Sequence, residues 1–384
     1  MKAVNEAANE TVSKPVSEAA NETVSKPVSE AANKTVSKPA DKAVENESSG
    51  SGKGKKKRGL KKLVMTAFYA LAAILALLVV MHHNPLADQT TEVMKKVMAC
   101  LLISFTCVIF GIFYDRLTVL PKELYQSRRL IWKLAKNDFK KRYAGSYLGM
   151  IWAFVQPVVT VVMYWIVFDR VFDTRSQLVA GGIEVPYVLY LTAGLVPWFY
   201  FSEALSNGTT ALLEYNYLVK KVVFKISILP IIKVIAATFV HIFFVAVLLI
   251  IAAFYGYYPN VYTLQIFYYS FCEFVLVLAI SYMTCAIVVF FRDLQQIISI
   301  VLQIGMWATP ILWDISMLSD KMKPFFKLNP MVYIVNGYRS AIYEQEWFFE
   351  HFYSSTYFWI FTVTLFCIGS LIFKKLKVHF ADVM

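Results

Sequence analysis

The chain has 384 residues, of which 58% are hydrophobic, 16% aromatic and only 17% charged, whereas soluble globular chains run at about 45–50% apolar and 25% charged. The excess is gathered into long runs, which excludes an ordinary soluble enzyme and points to a polytopic membrane protein. The formal charge of +12 flanks those runs, a pattern that suits membrane orientation and not nucleic-acid binding.

Residues 5–40 are a 12-residue unit written three times, NEAANETVSKPV, SEAANETVSKPV and SEAANKTVSKPA, closed by Pro15, Pro27 and Pro39. No copy has enough apolar residues to bury a face, so 1–58 is expected to be a disordered tail. No apolar h-region follows Met1, so the tail does not read as a secretory signal. Its end, SSGSGKGKKKRGLKK (48–62), reads as a flexible hinge and a polybasic patch for anionic headgroups. The glycines there lack the spacing of a phosphate loop, and no strand precedes them.

Eight membrane spans are expected, over 63–81, 97–114, about 149–168, 187–206, 228–255, 263–291, 294–313 and 357–373. Each is long and apolar enough to cross hydrocarbon. The run 187–206 is the weakest, because Pro197, Glu203 and Asn207 interrupt it. With the N-terminus inside, the cytoplasmic segments after the tail carry 16 Lys/Arg and the external ones 8, which places both termini in the cytoplasm. The chain then divides into the tail (1–58), two additional transmembrane helices (59–116), an interfacial amphipathic helix (117–148) and a six-span domain (149–384).

Within 124–143, Arg129, Lys133, Lys136 and Lys140 fall on one helical face and Leu130, Ile131, Leu134 and Ala135 on the other. Such a helix lies in the interface, its cations among headgroups. The external stretch 314–356 is too long and apolar for a bare loop, and is expected to form helices that dip partway into the membrane. Glu273 lies within a span, where a lone charge is expensive; a wet lumen, a protonated acid and a partner near the interface are equally open. His241 reads as a hydrogen-bonded packing residue. The five cysteines all sit in apolar segments without C-x-x-C spacing, which speaks for packing and against metal or disulfide chemistry.

Catalytic and metal-ligating residues are expected to be none. The sequence holds no phosphate loop, H-E-x-x-H helix or G-x-S-x-G turn, and its histidines are scattered. Any uphill transport must draw on an ion gradient or a partner, and no inverted pair of broken helices suggests an ion-coupled carrier.

From Arg142 onward five motifs follow in order. They are RYAGSYLGMIWAFVQPVV (142–159), YVLYLTAGLVPWFYFSEAL (187–205), NYLVKKVVFKISILP (216–230), FFRDLQQIISIVLQIGMWATPILW (290–313) and LNPMVYIVNGYRSAIY (328–343). Together they resemble the ABC-2 type permeases that export polysaccharides, O-antigens and teichoic acids. One departure is Lys225, where that family usually has proline after Phe224; residues 1–114 fall outside the resemblance.

The resemblance implies an all-α polytopic fold, with a six-span core, an interfacial helix and re-entrant outer gate helices. It implies a homodimer working with two copies of a separate ATPase in the bacterial plasma (inner) membrane. ATP and Mg would then be bound by that partner, and no cofactor by this chain. Glu214, Asn216, Tyr217, Leu218, Lys220, Lys221 and Phe224 would form the segment that couples to the ATPase, with Arg292 and Asp293 as a second contact. Asn329, Pro330, Met331, Tyr338 and Arg339 would belong to an outer gate. Tyr187, Tyr190, Trp198, Phe199, Tyr200, Trp307 and Trp313 are candidates to line the pore and stack on sugars, although aromatics at span ends also serve as interfacial anchors. The expected substrate is a lipid-linked glycan. A drug-efflux permease of the same superfamily is the alternative; a membrane glycosyltransferase or a scaffold fits the motifs less well.

Overall fold

The structure, a computed structural model, describes residues 50–81, 89–142, 149–171, 176–178, 184–219 and 225–383. The repeats of the tail therefore lie outside the described residues. Residues 1–68 and 69–384 form separate compact units, and the packing below concerns the second.

Helix α1 (Gly50–Met81) begins inside the stretch expected to be a hinge. Beyond its glycines the polybasic sequence holds no breaker, and extending an existing span costs far less than nucleating a new helix. Helix α2 (Gln89–Leu117) follows. The stretch expected to be one interfacial helix is two, α3 (Val119–Gln126) and α4 (Arg128–Arg142), separated at Ser127. Helix α5 (Trp152–Trp165) runs on as π-helical turns to Val171. A small antiparallel pair, β1 (Ser176–Leu178) and β2 (Glu184–Pro186), with Gln177 opposite Val185, was not anticipated.

The core is built from α6 (Tyr187–Glu214), α8 (Leu229–Phe254), α9 (Gln265–Val288) and α13 (Phe352–Leu376). Helix α6 packs on both α8 and α9, while α9 also packs on α13. Helix α6 is buried without a break from Tyr187 to Trp198. Among the described residues it is the least apolar and the most buried of the six helices long and apolar enough to cross a membrane. Its weak hydropathy is thereby explained: a central helix answers to neighbouring side chains, whereas an outer one must match lipid.

Two of the eight expected runs form apolar helices shorter than the other six. One is α5. The other, α10 (Leu294–Ala308), stops where Thr309 turns extended (φ −90°, ψ 135°), because the residue before Pro310 is driven out of the helical region. Helix α2 docks on α13, with Thr106 and Thr364 hydroxyls 2.9 Å apart. Within the stretch expected to be external, α11 (Lys323–Lys327) precedes α12 (Pro330–Arg339), which passes into π turns over Ser340–Glu344. Ten residues are too few to span, yet α12 is largely buried against α6, α9 and α13. A Cβ at Gly337 would fall within the ring of Tyr269, so the close approach of α12 to α9 requires glycine there.

Candidate functional site

Two polar constellations stand at opposite ends of α6. At its C-terminal end the helix gives way at Tyr215 to a single turn, α7 (Asn216–Val219). Helix α4 crosses beside it and buries Ile131, Ala135 and Asp138, a stripe at helical spacing whose third member is a carboxylate. Asp138 accepts from the Tyr215 hydroxyl and from Lys233 Nζ at 2.8 Å. Lys233, on α8 and buried, also donates to Glu214 at 2.6 Å. Arg142 ties α4 to Glu203 of α6 at 2.6 Å, and Thr210 donates to Glu214 at 2.6 Å. Burial first, and then the hydrogen bond to Asp138, push the Tyr215 phenol well above its ordinary value. One lysine thus joins three helices, in a setting where an unpaired charge would be costly.

Of the residues expected to couple to an ATPase, Glu214 belongs to this network. Tyr217 is exposed, while Asn216 and Leu218 are half-buried. Lys220, Lys221 and Phe224 lie outside the described residues. Arg292 and Asp293 are exposed in the turn between α9 and α10. On α4, Arg129, Lys133, Lys136 and Lys140 are all exposed. Leu130, placed on the apolar face from sequence, is 44% exposed. The seam faces α8 instead, where Trp132 and Phe139 flank Phe239 with ring centroids 5.5 and 5.6 Å away.

At the other end of α6 the non-helical segment 309–313 presents backbone carbonyls that need donors away from water. Four consecutive ones receive them from side chains. Arg339 Nη1 donates to Pro310 O at 2.8 Å and Nη2 to Ile311 O at 3.1 Å. Tyr187 donates to Leu312 O and Tyr190 to Trp313 O, each at 2.8 Å. The Arg339 guanidinium lies 3.6 Å from the centroid of the Tyr190 ring, a stacked cation–π contact. Asn329 caps α12 by accepting from Met331 N at 3.0 Å and donates to the Thr309 hydroxyl at 2.9 Å. A Cβ at Gly194 would press on Ile311 and on Arg339 Nη2. We call this arrangement the carbonyl clamp.

The clamp brings together residues expected to serve apart. Tyr187 and Tyr190, candidates for stacking on sugar, are buried with their hydroxyls committed to carbonyls, so neither ring is free to receive a passing chain in this conformation. Arg339 and Asn329, expected in a gate, make the clamp's other contacts. Pro330 opens α12, and Met331 is buried. Tyr338, also buried, lies 2.9 Å from His241 Nε2 and 2.6 Å from Ser270 Oγ, so His241 is the hydrogen-bonded packing residue its position suggested. Trp198 is buried against Gly305, Phe199 meets Phe244, and Tyr200 bonds Thr238 at 3.0 Å. Trp313 donates its indole N–H to Trp307 O at 3.0 Å, and Trp307 itself is 67% exposed. Glu273 is wholly buried, with neither carboxylate oxygen hydrogen-bonded among the described residues. Within one copy the described residues close its side chain off from solvent, with the backbone of Phe201 beside it.

Replacing Tyr190 by Phe keeps the ring over Arg339 and removes the donor to Trp313 O, together with its longer 3.4 Å bond to Asp314 Oδ2. An orphaned buried carbonyl costs about 1–3 kcal/mol, so Tyr190→Phe should lower the thermal midpoint of the purified chain by several degrees. An unchanged midpoint would mean that water takes the donor's place.

Asp138, Lys233, Glu203 and Arg142 were not anticipated as a unit. The signal available was the carboxylate in the buried stripe of an otherwise basic amphipathic helix, facing a span that itself carries one lysine.

These geometries sit within a region that matches the ABC-2 type transporter family over residues 129–343, more than half of the chain. The chain belongs to the ABC-2 type transporter family. It is 30% identical over 229 residues to the O-antigen export system permease protein RfbA of Myxococcus xanthus, covering 59% of this chain and 85% of that one. It is 24% identical over 257 residues to the protein of the same name in Klebsiella pneumoniae, covering 66% of this chain and 95% of that one. Both constellations fall inside the matched region.

Proposed function

We propose that the chain is the membrane-spanning permease of a polysaccharide exporter, carrying a lipid-linked glycan across the bacterial inner membrane with both termini in the cytoplasm. Two copies would form the path, and two copies of a separate ATPase, holding ATP and Mg, would drive it. Membership of the family and the likeness to two O-antigen export permeases, across nearly their whole lengths, support this reading.

The observation that carries the mechanism is the position of α6. Its 28 residues make a rod of about 42 Å, with Glu214 at one end and Tyr187 and Tyr190 at the other. ATP-driven closure of the ATPase pair would push on the segment from Glu214 to Phe224, with Arg292 and Asp293 as a second contact. The Asp138–Lys233–Glu214 network makes α4, α6 and α8 respond together, and tilting α6 moves two of the four clamp side chains, Tyr187 and Tyr190. The clamp would then release 309–313 and α12 as an outer gate, a rigid-body response of packed elements. Trp307, exposed in one copy, is the aromatic best placed to meet a glycan between two.

ATP-dependent uptake of lipid-linked glycan into inside-out vesicles, with the chain and its ATPase reconstituted together, tests this reading. Uptake of a drug with none of glycan would replace it by the efflux alternative.

A further inference from the structure

A cavity of about 390 Å³ lies between α3, the segment leading into α8 and the last turns of α13, away from both constellations. Leu120 and Phe373 line it and are buried, while Val119 and Val378 line it and are exposed. Its polar lining carries both signs of charge: Lys374 and Lys377 are cationic, and Glu123 is a carboxylate. Lys377 Nζ donates to Ser227 Oγ at 3.2 Å. Glu123 Oε2, although buried, has no hydrogen-bond partner among the described residues, so neither lysine neutralises it. Buried polar atoms normally find partners. A cavity whose opposite charges stay apart suits a ligand that brings both.

We propose that this cavity binds the zwitterionic headgroup of a phosphatidylethanolamine-type lipid. The ammonium would donate to Glu123, the phosphate would accept from Lys374 and Lys377, and an acyl chain would lie along the exposed Val119 and Val378. Lipid is favoured over a soluble headgroup by position. Helix α3 follows the membrane-crossing α2 after a single residue, and the lysines end the apolar run of α13, so the cavity stands where headgroups do. A purely anionic lipid would satisfy the lysines while setting its charge against Glu123. Because Ser227 leads directly into α8, the bound lipid would also brace α3 and α13 against the base of that helix.

The delipidated full chain, titrated in detergent with phosphatidylethanolamine, phosphatidylglycerol and soluble phosphoethanolamine, tests this, with bound molecules counted by native mass spectrometry. The ethanolamine lipid should bind about tenfold more tightly than the glycerol lipid, the worth of one charge-assisted hydrogen bond. Glu123→Gln should erase most of that preference, and Lys374→Gln with Lys377→Gln should weaken both lipids. Equal binding of the two lipids by the wild-type chain would overturn the proposal even if a variant fails to fold. So would phosphoethanolamine binding as tightly as the lipid, or a preference that Glu123→Gln leaves intact.

Discussion

Arg339→Lys should open the clamp end of the bundle. Lysine keeps the charge but offers a point ammonium where arginine offers a planar fork. It cannot bond Pro310 O and Ile311 O together and still stack on Tyr190, as the guanidinium does. Each hydrogen bond from a charged group contributes about 1.5–3 kcal/mol, so losing one and misdirecting the other should cost about 3 kcal/mol at a buried site. That is enough to move a gate closed 99% of the time to one frequently open. In proteoliposomes without ATPase the variant should pass small ions passively, whereas the wild-type chain holds a gradient. Arg339→Gln, which retains donors but no charge, should fall between. If Arg339→Lys holds the gradient as well as wild type and melts at the same temperature, the clamp is packing and does not gate.

The second large effect is expected from Lys233→Met. The substitution strips the buried Asp138 of its 2.8 Å partner and Glu214 of its 2.6 Å one. Removing one member of a buried ion pair typically costs about 3–5 kcal/mol, whereas removing both can be nearly neutral. Lys233→Met should therefore lower the thermal midpoint sharply, and adding Asp138→Asn should restore much of the loss. Tyr215 and Arg142 remain near position 138 to bond the new amide. Additive losses in the two single variants would show that the residues do not act as a pair. Transport should stay low in the double variant even where stability returns, because α8 would no longer be tied through Lys233 to α4 and α6.

Much of this was legible beforehand. The apolar runs located the long helices, but the run at 294–313 was carried through the Thr-Pro pair at 309–310, where α10 in fact ends. The motifs between 142 and 343 identified the family. The clamp was hidden for a physical reason: its acceptors are backbone carbonyls of 310–313, which carry no side-chain signature. Tyr187 and Tyr190 stand three residues apart and must share a face of α6, but spacing does not say what that face meets, and aromatic identity alone suggested sugar. Asp138 was obscured by the four cations around it, and Lys233 by the apolarity of its helix. The shortness of α5 had no such cause in its sequence, which stays apolar to Phe168.

The most direct test of the central claim is to deplete this chain in its native cell and follow lipid-linked glycan on the two faces of the inner membrane. The account predicts accumulation on the cytoplasmic face and loss from the cell surface. Unchanged surface glycan on depletion would contradict it.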